Sequence, residues 1–458
     1  METSNTLAEP VSANGLSIKA TISDCINFAM QQNAVPLVRN LKIINNGPTA
    51  VSPLKISVWT EPPIASRVDF ELDVLQPGGK AGSDEFEMEV DRQKLFSQNE
   101  RETGSIVIEV TSRGETLARV SQRLDILASN EWHGADKLPE ILAAFVMPNN
   151  PAIDPILSEA ASLLCEMTGE NAIKAYQNKT STQALVEVAA IYGAIAKNAI
   201  SYVSPPASFE KRGQKVRLPD QIIKNRLGTC LDLALLYAAC LEQAGFNPLV
   251  VLISGHAFVA VWLKDDSFAD AITLDAAALK KRIDLGELCA LEATALSGGA
   301  LPFRQAQEAG YKNIMKCISG EKRFVMALDI KMCRNAGIRP LAFRGEEIAV
   351  ARTAKIGADA PLDLSVSMPE TASARPLHPI DETDRSAKNE ESARLGRWKG
   401  KLLDLTRRNR LLNLRETSKA LRLLCPSLDK LEDALSQDKE FSILPDPRVM
   451  SAADPRSA

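Results

Sequence analysis

The stretch that decides the fold is Gly228-Thr229-Cys230-Leu231-Asp232-Leu233-Ala234, which a helix-like apolar run, a glycine and a second apolar run separate from Gly255-His256-Ala257-Phe258. Thr229 followed three residues later by Asp232 is a capping-box pattern, so we expect a helix whose first residue is Cys230. The unpaired N–H groups and the dipole at a helix start favour a thiolate there. The pattern predicts a cysteine at a helix start and a histidine at a strand start, which is an arrangement of a thiol nucleophile with its base.

Composition is that of an ordinary globular protein. The chain has 458 residues, of which 45% are hydrophobic and 24% are charged, enough for two or three domains with their own cores. The formal net charge of −4 gives no general attraction to nucleic acid or to an acidic membrane. No apolar run approaches the ~20 residues that span a bilayer, and the N-terminus lacks the basic and apolar parts of a signal peptide. We therefore expect a cytoplasmic protein with no membrane partner.

The eight cysteines and three histidines show no metal-binding pattern. There is no C-x-x-C pair, and no histidine stands at zinc-finger spacing. Since the cysteines are scattered through apolar runs, we expect most of them to be reduced core residues. The sequence predicts neither a metal site nor a cofactor.

Changes in hydrophobic periodicity divide the chain into four segments. Residues 1–130 alternate apolar and polar side chains between turn residues, which predicts a β-sandwich of immunoglobulin-like type. Residues 131–340 predict helices first and an antiparallel sheet second, an α+β domain. Residues 341–389 are rich in Pro, Ala, Ser and charged residues and are predicted to be a linker. Residues 390–458 regain helical periodicity and are predicted to form a basic helical segment.

Local patterns predict individual elements within these segments. Period-two alternation and short apolar runs predict strands, and apolar residues at helical spacing predict helices. The predicted strands are at 54–58, 68–74, 106–110, 248–253, 257–263, 288–294 and 323–331, and the predicted helices are at 156–168 and 182–198.

Three residues are candidates for a catalytic centre. A cysteine hydrolase needs a thiolate, an imidazole that accepts and returns a proton, and an acid or amide that orients the imidazole. Cys230 and His256 supply the first two. Glu292, a lone acid in an apolar run, is the first choice for the third, and Asp275 is the alternative. Each residue taken alone also has an ordinary structural explanation, because buried cysteines are common and glutamates on edge strands usually face solvent.

The polar loop before Cys230 offers hydrogen-bond donors for a developing oxyanion. The backbone N–H of Cys230 is one candidate donor, and Gln214 or Gln221 is a candidate for a second. The loop is predicted to lie where a substrate approaches the thiol.

Three motifs together resemble those of the transglutaminase-like superfamily of papain-type folds. They are Gly228-Thr229-Cys230-Leu231-Asp232, Gly255-His256-Ala257-Phe258-Val259 and Leu291-Glu292-Ala293-Thr294. Members of that superfamily usually show a G-x-C-x-D nucleophile motif, an H-A-[FW]-V histidine strand and a D-x-T acid strand. The resemblance spans about residues 140–335, and it departs from the pattern in having Glu292 for the usual Asp and a long insertion before it. It implies a cysteine hydrolase, most plausibly a peptidase, with a peptide or protein substrate.

A second resemblance lies near the C-terminal end of the chain. Residues 401–415 read K-L-L-D-L-T-R-R-N-R-L-L-N-L-R and resemble the signature L-L-D-L-[ST]-x-R-N-x-L-L-N. That signature opens an uncharacterised domain preceding superfamily 1 DNA helicases in large bacterial proteins. The resemblance implies a DNA helicase or nuclease as partner and a role in defence against phage. The chain contains no G-x-x-x-x-G-K-[ST] motif, so the helicase motor is not among these residues.

The same segment is locally basic, and its basic side chains admit two interpretations. They are Arg397, Lys399, Lys401, Arg407, Arg408, Arg410 and Arg415. They either contact nucleic-acid phosphates or solvate the outer face of a helix that packs on a partner. Two hypotheses follow for the whole chain: a cysteine hydrolase associated with a DNA helicase, and a catalytically inactive scaffold that binds protein and nucleic acid.

Overall fold

The computed structural model describes residues 5–8, 15–83, 86–177, 180–342 and 362–368. The chain divides into two compact units, residues 1–376 and 377–458, and every described residue lies in the first unit. The described residues form a mixed α+β protein with several sheets. The basic helical segment predicted at 390–458 lies outside them, and the domain boundary near residue 130 stays a prediction.

The amino-terminal part consists of two β-sheets. In chain order its elements are β1 (Asn5–Ala8), β2 (Leu16–Ile22), β3 (Cys25–Ile26), α1 (Phe28–Gln32), β4 (Val38–Asn45), β5 (Leu54–Glu61), β6 (Val68–Leu72), β7 (Lys80–Ser83), α2 (Arg92–Ser97), β8 (Glu102–Ser112) and β9 (Glu115–Ile126). One sheet has the order β1-β2-β4-β7 and the other the order β3-β9-β8-β5-β6. Neighbouring strands are antiparallel except for β3 and β9, which are parallel.

The alternation of apolar residues explains how these sheets share a core. Successive side chains of a strand point to opposite faces, so Ile106, Ile108 and Val110 of β8 fall on one face, and all three are buried. They belong to the same apolar cluster as residues of the other sheet, such as Ile43 of β4. The strands predicted at 54–58 and 106–110 are confirmed. The strand predicted at 68–74 ends earlier, at Leu72.

The part after residue 130 combines helices with a five-stranded sheet. In chain order its elements are β10 (Glu131–Trp132), α3 (Ile153–Thr168), α4 (Ser181–Ala196), β11 (Ser201–Tyr202), α5 (Phe209–Arg212), β12 (Gln214–Lys215), α6 (Pro219–Asn225), β13 (Leu227–Gly228), α7 (Cys230–Gln243), β14 (Pro248–Ile253), β15 (His256–Trp262), β16 (Ile272–Thr273), α8 (Ala276–Asp284), β17 (Leu288–Leu291), α9 (Phe303–Ile318), β18 (Phe324–Asp329) and α10 (Ile330–Asn335). Short 3₁₀ helices lie at Pro139–Phe145, Ala175–Gln177 and Ala293–Leu296. The sheet has the antiparallel order β16-β18-β14-β15-β17.

Helix α7 is the central element of this part. Every residue from Cys230 to Leu241 is buried, as expected for a helix that is apolar on all sides. Its partners include β14, β15, α3 and α4. The helix ends next to Gly245, whose φ of +91° is the left-handed conformation that glycine adopts most easily.

The sheet separates two layers of helices. Side chains of β14 and β15 alternate between two apolar clusters, since strand residues point to opposite faces in turn. Val250, Leu252 and Val259 lie in the cluster that contains the apolar residues of α7. Leu249, Val251 and Trp262 lie in the cluster that contains Leu279 of α8 and Ile314 of α9. Thus α7 covers one face, while α8 and α9 cover the other.

Two predictions about this part need correction. The strand predicted at 288–294 ends at Leu291, because Glu292 caps the 3₁₀ helix that follows it. The strand predicted at 323–331 runs only from Phe324 to Asp329, because Asp329 caps α10, which starts at Ile330. Residues 362–368, within the linker predicted at 341–389, pack on the apolar core. The predicted helices at 156–168 and 182–198 and the hairpin of β14 and β15 are confirmed.

No helix among the described residues is long and apolar enough to cross a membrane.

Candidate active site

Cys230 is the first residue of α7, and the predicted capping box holds it there. Thr229 Oγ1 accepts a hydrogen bond from the backbone N–H of Asp232 at 3.3 Å. In return, Asp232 Oδ2 accepts from the backbone N–H of Thr229 at 2.9 Å. These reciprocal bonds satisfy two donors of the first helical turn and orient the chain immediately before the thiol. The local sequence therefore determines where the sulfur stands on the helix.

Asp232 also ties the preceding polar loop to this helix start. It accepts from the backbone N–H of Arg217 at 2.9 Å and from the Arg217 guanidinium at 3.1 Å. Burial raises the pKa of Asp232 above its usual value, although its hydrogen bonds to Thr229 and Arg217 act in the opposite direction. One buried carboxyl group thus joins the loop and the nucleophile-bearing helix.

His256 is the first residue of β15, directly after the tight turn that joins β14 to β15. Gly255 in that turn has a φ of +71°, which a residue with a Cβ adopts only under strain. The imidazole Nε2 of His256 lies 2.7 Å from Oε2 of Glu292, and the ring also interacts electrostatically with the side chain of Cys230. Because Glu292 engages Nε2, Nδ1 is the nitrogen left for the thiol.

The electrostatics of His256 favour its protonated form. Burial disfavours the charged ring, but hydrogen bonds to Cys230 and Glu292 and the charges of both groups outweigh it and raise the pKa of His256 to about 9. For Glu292, burial acts to raise the pKa, but the hydrogen bond and charge of His256 and the bonds from Thr294 hold it below its usual value. An imidazolium held against an ionised carboxylate is the consequence near neutral pH.

Glu292 reaches His256 because β17 pairs with β15. Leu291 is opposite Val259 in this antiparallel pair, so the end of β17 lies beside the start of β15. The Glu292 carboxylate is buried and fully hydrogen bonded: Oε1 accepts from the N–H and the hydroxyl of Thr294 at 2.9 and 2.7 Å. Oε2 accepts from Asn313 of α9 at 2.7 Å. These donors fix the carboxylate in the orientation that faces the imidazole.

The other predicted site residues have different positions. Asp275 is exposed and caps α8, accepting from the N–H of Ala277 at 2.8 Å, and it follows β16 at the sheet edge opposite β17. Gln221 Oε1 accepts from the N–H of Leu218 at 3.2 Å and so closes the first turn of α6. The structure therefore brings Glu292 rather than Asp275 to the histidine, and the Gln221 carbonyl is occupied at a helix start.

Gln214 lies next to the nucleophile. It is buried, and its Nε2 donates to Thr229 Oγ1 at 3.1 Å. Its Oε1 has no hydrogen-bond partner among the described residues. The Gln214 amide thus contacts the residue next to Cys230, and in this conformation one of its two N–H donors is used by Thr229.

Tyr202 is a site residue that the sequence did not reveal. Strand β11 pairs in parallel with β13, which places Tyr202 opposite Gly228, two residues before the cysteine. Burial and the neighbouring Cys230 raise the pKa of Tyr202 to about 12, so its hydroxyl stays protonated beside the sulfur. Tyr202 is 41% exposed while Cys230 is 0% exposed, and the tyrosine therefore stands between the thiol and solvent. Residues 200–203 show only an extended pattern in the sequence, and a two-residue parallel pairing leaves no periodic signal.

Comparison with known proteins bears on a different part of the chain. A family model described as "Protein of unknown function (DUF4011)" matches residues 401–457. No curated protein matches the chain. The matched residues include Lys401, Arg407, Arg408, Arg410 and Arg415 of the basic segment, while Arg397 and Lys399 precede them; all seven lie outside the described residues.

The fold and site define an α+β protein in which a helix-start cysteine, a strand-start histidine and a buried glutamate adjoin one another. Among the described residues, no group of three or more His, Cys, Asp and Glu side chains is arranged to hold a metal ion.

Proposed function

We propose that Cys230, His256 and Glu292 are the catalytic residues of a transglutaminase-like cysteine hydrolase that cleaves peptide or protein substrates. One observation carries the proposal: the imidazole of His256 lies 2.7 Å from the Glu292 carboxylate and interacts electrostatically with the side chain of Cys230. A nucleophile, a base and a group that orients the base are the parts that acyl transfer to a thiol requires.

The reaction follows from these positions. The Cys230 thiolate attacks the substrate carbonyl carbon, forming a C–S bond and an oxyanion near the backbone N–H groups at the start of α7. The His256 imidazolium gives its proton to the leaving amine, and the C–N bond breaks. Water then attacks the thioester carbon while the neutral imidazole takes its proton, and the C–S bond breaks to release the acid and regenerate the thiolate–imidazolium pair. Glu292 keeps the ring oriented and favours its charged form throughout.

The domain assignment belongs to the same proposal. Residues 131–340 have the order of a transglutaminase-like domain, with the cysteine helix α7 before the strands that carry the histidine and the acid. For residues 1–130 we infer an immunoglobulin-like sandwich, supported by two mainly antiparallel sheets that contribute to one core. The Glu292–Thr294 contacts support Glu292 as the equivalent of the Asp in the D-x-T motif.

The partners are inferred from the C-terminal part of the chain. The signature at residues 401–415, which resembles that of helicase-associated domains, supports a DNA helicase or nuclease as partner, and we infer a cytoplasmic location for the protein. Clustered basic residues between 397 and 415 support contacts with DNA phosphates. In that setting the hydrolase serves a nucleic-acid-processing assembly, and antiviral defence is the role we propose for it.

Thiol alkylation tests the catalytic pair directly. An unperturbed cysteine with a pKa of ~8.5 is almost entirely protonated at pH 6, whereas a thiolate held by an imidazolium reacts there. Iodoacetamide should therefore modify Cys230 at pH 6 about tenfold faster in the wild-type protein than in His256→Ala, after allowance for the weaker intrinsic nucleophilicity of a stabilised thiolate. His133→Ala is the matched control and should leave the rate unchanged. Equal Cys230 rates in wild type and His256→Ala, measured by peptide mass spectrometry, would reject the proposal.

A catalytically inactive scaffold is the second candidate function. The complete burial of Cys230 beneath Tyr202 favours it, because a thiol without access to solvent meets no substrate. This hypothesis expects salt-dependent DNA binding that disappears when residues 390–458 are deleted and is unaffected by Cys230→Ala. A loss of cellular function in Cys230→Ala with DNA binding intact would count against the scaffold and for the hydrolase.

A further inference from the structure

Residues 362–368 form a peptide that packs on the helices beside the candidate site. Their sequence, Leu-Asp-Leu-Ser-Val-Ser-Met, alternates apolar and polar side chains. The apolar ones are partly buried against the core, and the polar ones are exposed. A period of two is that of extended chain with one face on a surface. The peptide therefore binds its own protein in the way an extended ligand binds a groove.

An apolar notch receives the second leucine of this peptide. A Cβ built on Gly193 of α4 would lie 2.9 Å from Cδ1 of Leu364 and 3.1 Å from Cδ1 of Leu163 in α3. Glycine inside a helix is less favourable than alanine. The close approach of Leu364 gives that glycine a packing function, since any larger residue would displace the leucine or its neighbour.

Helix α9 binds the backbone of the same peptide at two levels. The carbonyl of Asp363 accepts from the N–H of Phe303, the first residue of α9, at 2.9 Å. One turn further, the Gln307 amide donates to the carbonyl of Ser367 at 3.2 Å and accepts from its N–H at 3.3 Å. The peptide thus closes the start of α9, where the N-cap residue is a proline without a capping side chain.

The same helix holds Glu292 in place. The carbonyl of Ala306 accepts from the N–H of Glu292 at 3.0 Å, and Asn313 donates to the Glu292 carboxylate at 2.7 Å. Between them, Gly310 packs directly on the end of β17, because a Cβ there would lie 2.6 Å from the backbone of Ala290. A displacement of α9 would therefore also move the Glu292 carboxylate.

We propose that residues 362–368 are a positioning segment for Glu292: by binding α4 and α9 they hold α9 where Ala306 and Asn313 fix the carboxylate against His256. The consequence for catalysis rests on the proposed function, but the positioning itself does not.

The test is the titration of His256 in the full chain. Three histidines make histidine-labelled NMR spectra simple to assign. The titratable groups that face His256 are Cys230 from α7 and Glu292 after β17, with Tyr202 of β11 in contact with Cys230. None of them is altered by Leu364→Asp, which places a charge in the apolar notch. Ser365→Asp places the same charge on the adjacent exposed residue and is the matched control.

Leu364→Asp should lower the pKa of His256 by about one unit, the size expected when a neighbouring opposite charge is weakened, and Ser365→Asp should leave it unchanged. Adding a synthetic peptide of residues 360–370 to the Leu364→Asp protein should restore the titration, and the same peptide carrying Leu364→Asp should not. A Leu364→Asp protein that is less stable but titrates like wild type would overturn the proposal. If that variant does not fold, Gln307→Ala removes both Ser367 contacts more mildly, and an unchanged His256 titration in it is equally decisive.

The result separates this inference from the proposed function. If Cys230 proves unreactive in the wild-type protein while Leu364→Asp still shifts the titration of His256, the hydrolase proposal fails and the positioning segment stands. If Cys230 is reactive and the titration does not respond to Leu364→Asp or Gln307→Ala, only the positioning segment is rejected.

Discussion

Cys25 and Cys230 each lie near a histidine, yet the groups around the two imidazoles differ. Cys25 and His133 line the same small cavity in the amino-terminal part. His133 Nε2 donates to the backbone carbonyl of Lys137, and its Nδ1 has no hydrogen-bond partner among the described residues. The nearby carboxylate of Asp24 is paired with Lys137 instead. Here the imidazole has no carboxylate of its own.

The pKa values of the two histidines, His133 and His256, are shifted in opposite directions. Burial dominates for His133 and lowers its pKa, whereas Cys230 and Glu292 raise the pKa of His256 to about 9. Burial, followed by the charge and hydrogen bond of Asp24, raises the pKa of Cys25 to about 12. A cysteine near a histidine is therefore not sufficient for an activated thiol. The helix start beneath the sulfur and the carboxylate beyond the ring distinguish the second pair.

The largest expected effect is on hydrolysis. Cys230→Ala should reduce the release of amino groups from casein by at least about 10³-fold, since the covalent route is lost. Cys25→Ala should retain wild-type activity because its thiol is protonated and has no base. Amine release from casein, measured with a fluorogenic reagent, distinguishes the two variants. Equal losses in both variants would show that the comparison between the two cysteines is mistaken.

Glu292→Gln removes the charge but keeps a side chain of similar shape. We expect hydrolysis to fall by about 100-fold and the pKa of His256 to fall from about 9 toward or below 6.5, because the ring loses its carboxylate partner. Histidine NMR and the casein assay provide the two measurements. Asp275→Asn, at the exposed cap of α8, should change neither. A His256 that titrates as in wild type would mean that Glu292 does not stabilise the imidazolium.

Stability should depend on pH in opposite ways through the two histidines. The folded-state pKa of His256 is raised from 6.5 to about 9, so its contribution is fully present below pH 6.5 and is lost as the pH rises through about 9. Urea unfolding should show the stability difference between wild type and His256→Ala shrinking by roughly 3 kcal/mol from pH 6 to pH 10. His133 has a lowered pKa, so it should destabilise the protein as the pH falls below 6.5. A constant difference for His256→Ala would contradict the raised pKa.

The smallest expected effect concerns access to the thiol. Tyr202→Phe removes the hydroxyl beside Cys230 and should raise Cys230 alkylation by about fivefold, corresponding to the loss of an interaction of ~1 kcal/mol. Tyr202→Ala should raise it further because the ring no longer covers the sulfur. Alkylation of Cys25 in the same samples is the internal reference and should not change. A slower reaction in Tyr202→Phe would show that the hydroxyl activates the thiol rather than shields it.

Local patterns predicted the position of Cys230 at a helix start, but they did not predict all of the residues around it. The capping box at Thr229 and the hairpin that carries His256 depend on residues close together in sequence, so motif and periodicity were sufficient. The contacts of Asn313 and Tyr202 depend on pairing between distant elements, and nothing at those positions distinguishes them from ordinary polar and aromatic residues. The packing of residues 362–368 was not predicted, because the flanking Pro361 and Pro369 and the polar residues around them outweighed a short alternating pattern.

The sequence by itself determined that Cys230 begins a buried helix, that His256 begins a strand, and that the described chain is mixed α+β, because these follow from capping, turns and hydrophobic periodicity over a few residues. The tertiary structure decided which carboxylate meets the imidazole, what covers the thiol and what holds α9. These outcomes depend on strand order and helix packing, which bring Glu292 rather than Asp275 to His256 at the start of β15. The whole fold determines which side chain lies opposite another across a sheet, because the register of a strand depends on the burial of all its residues together.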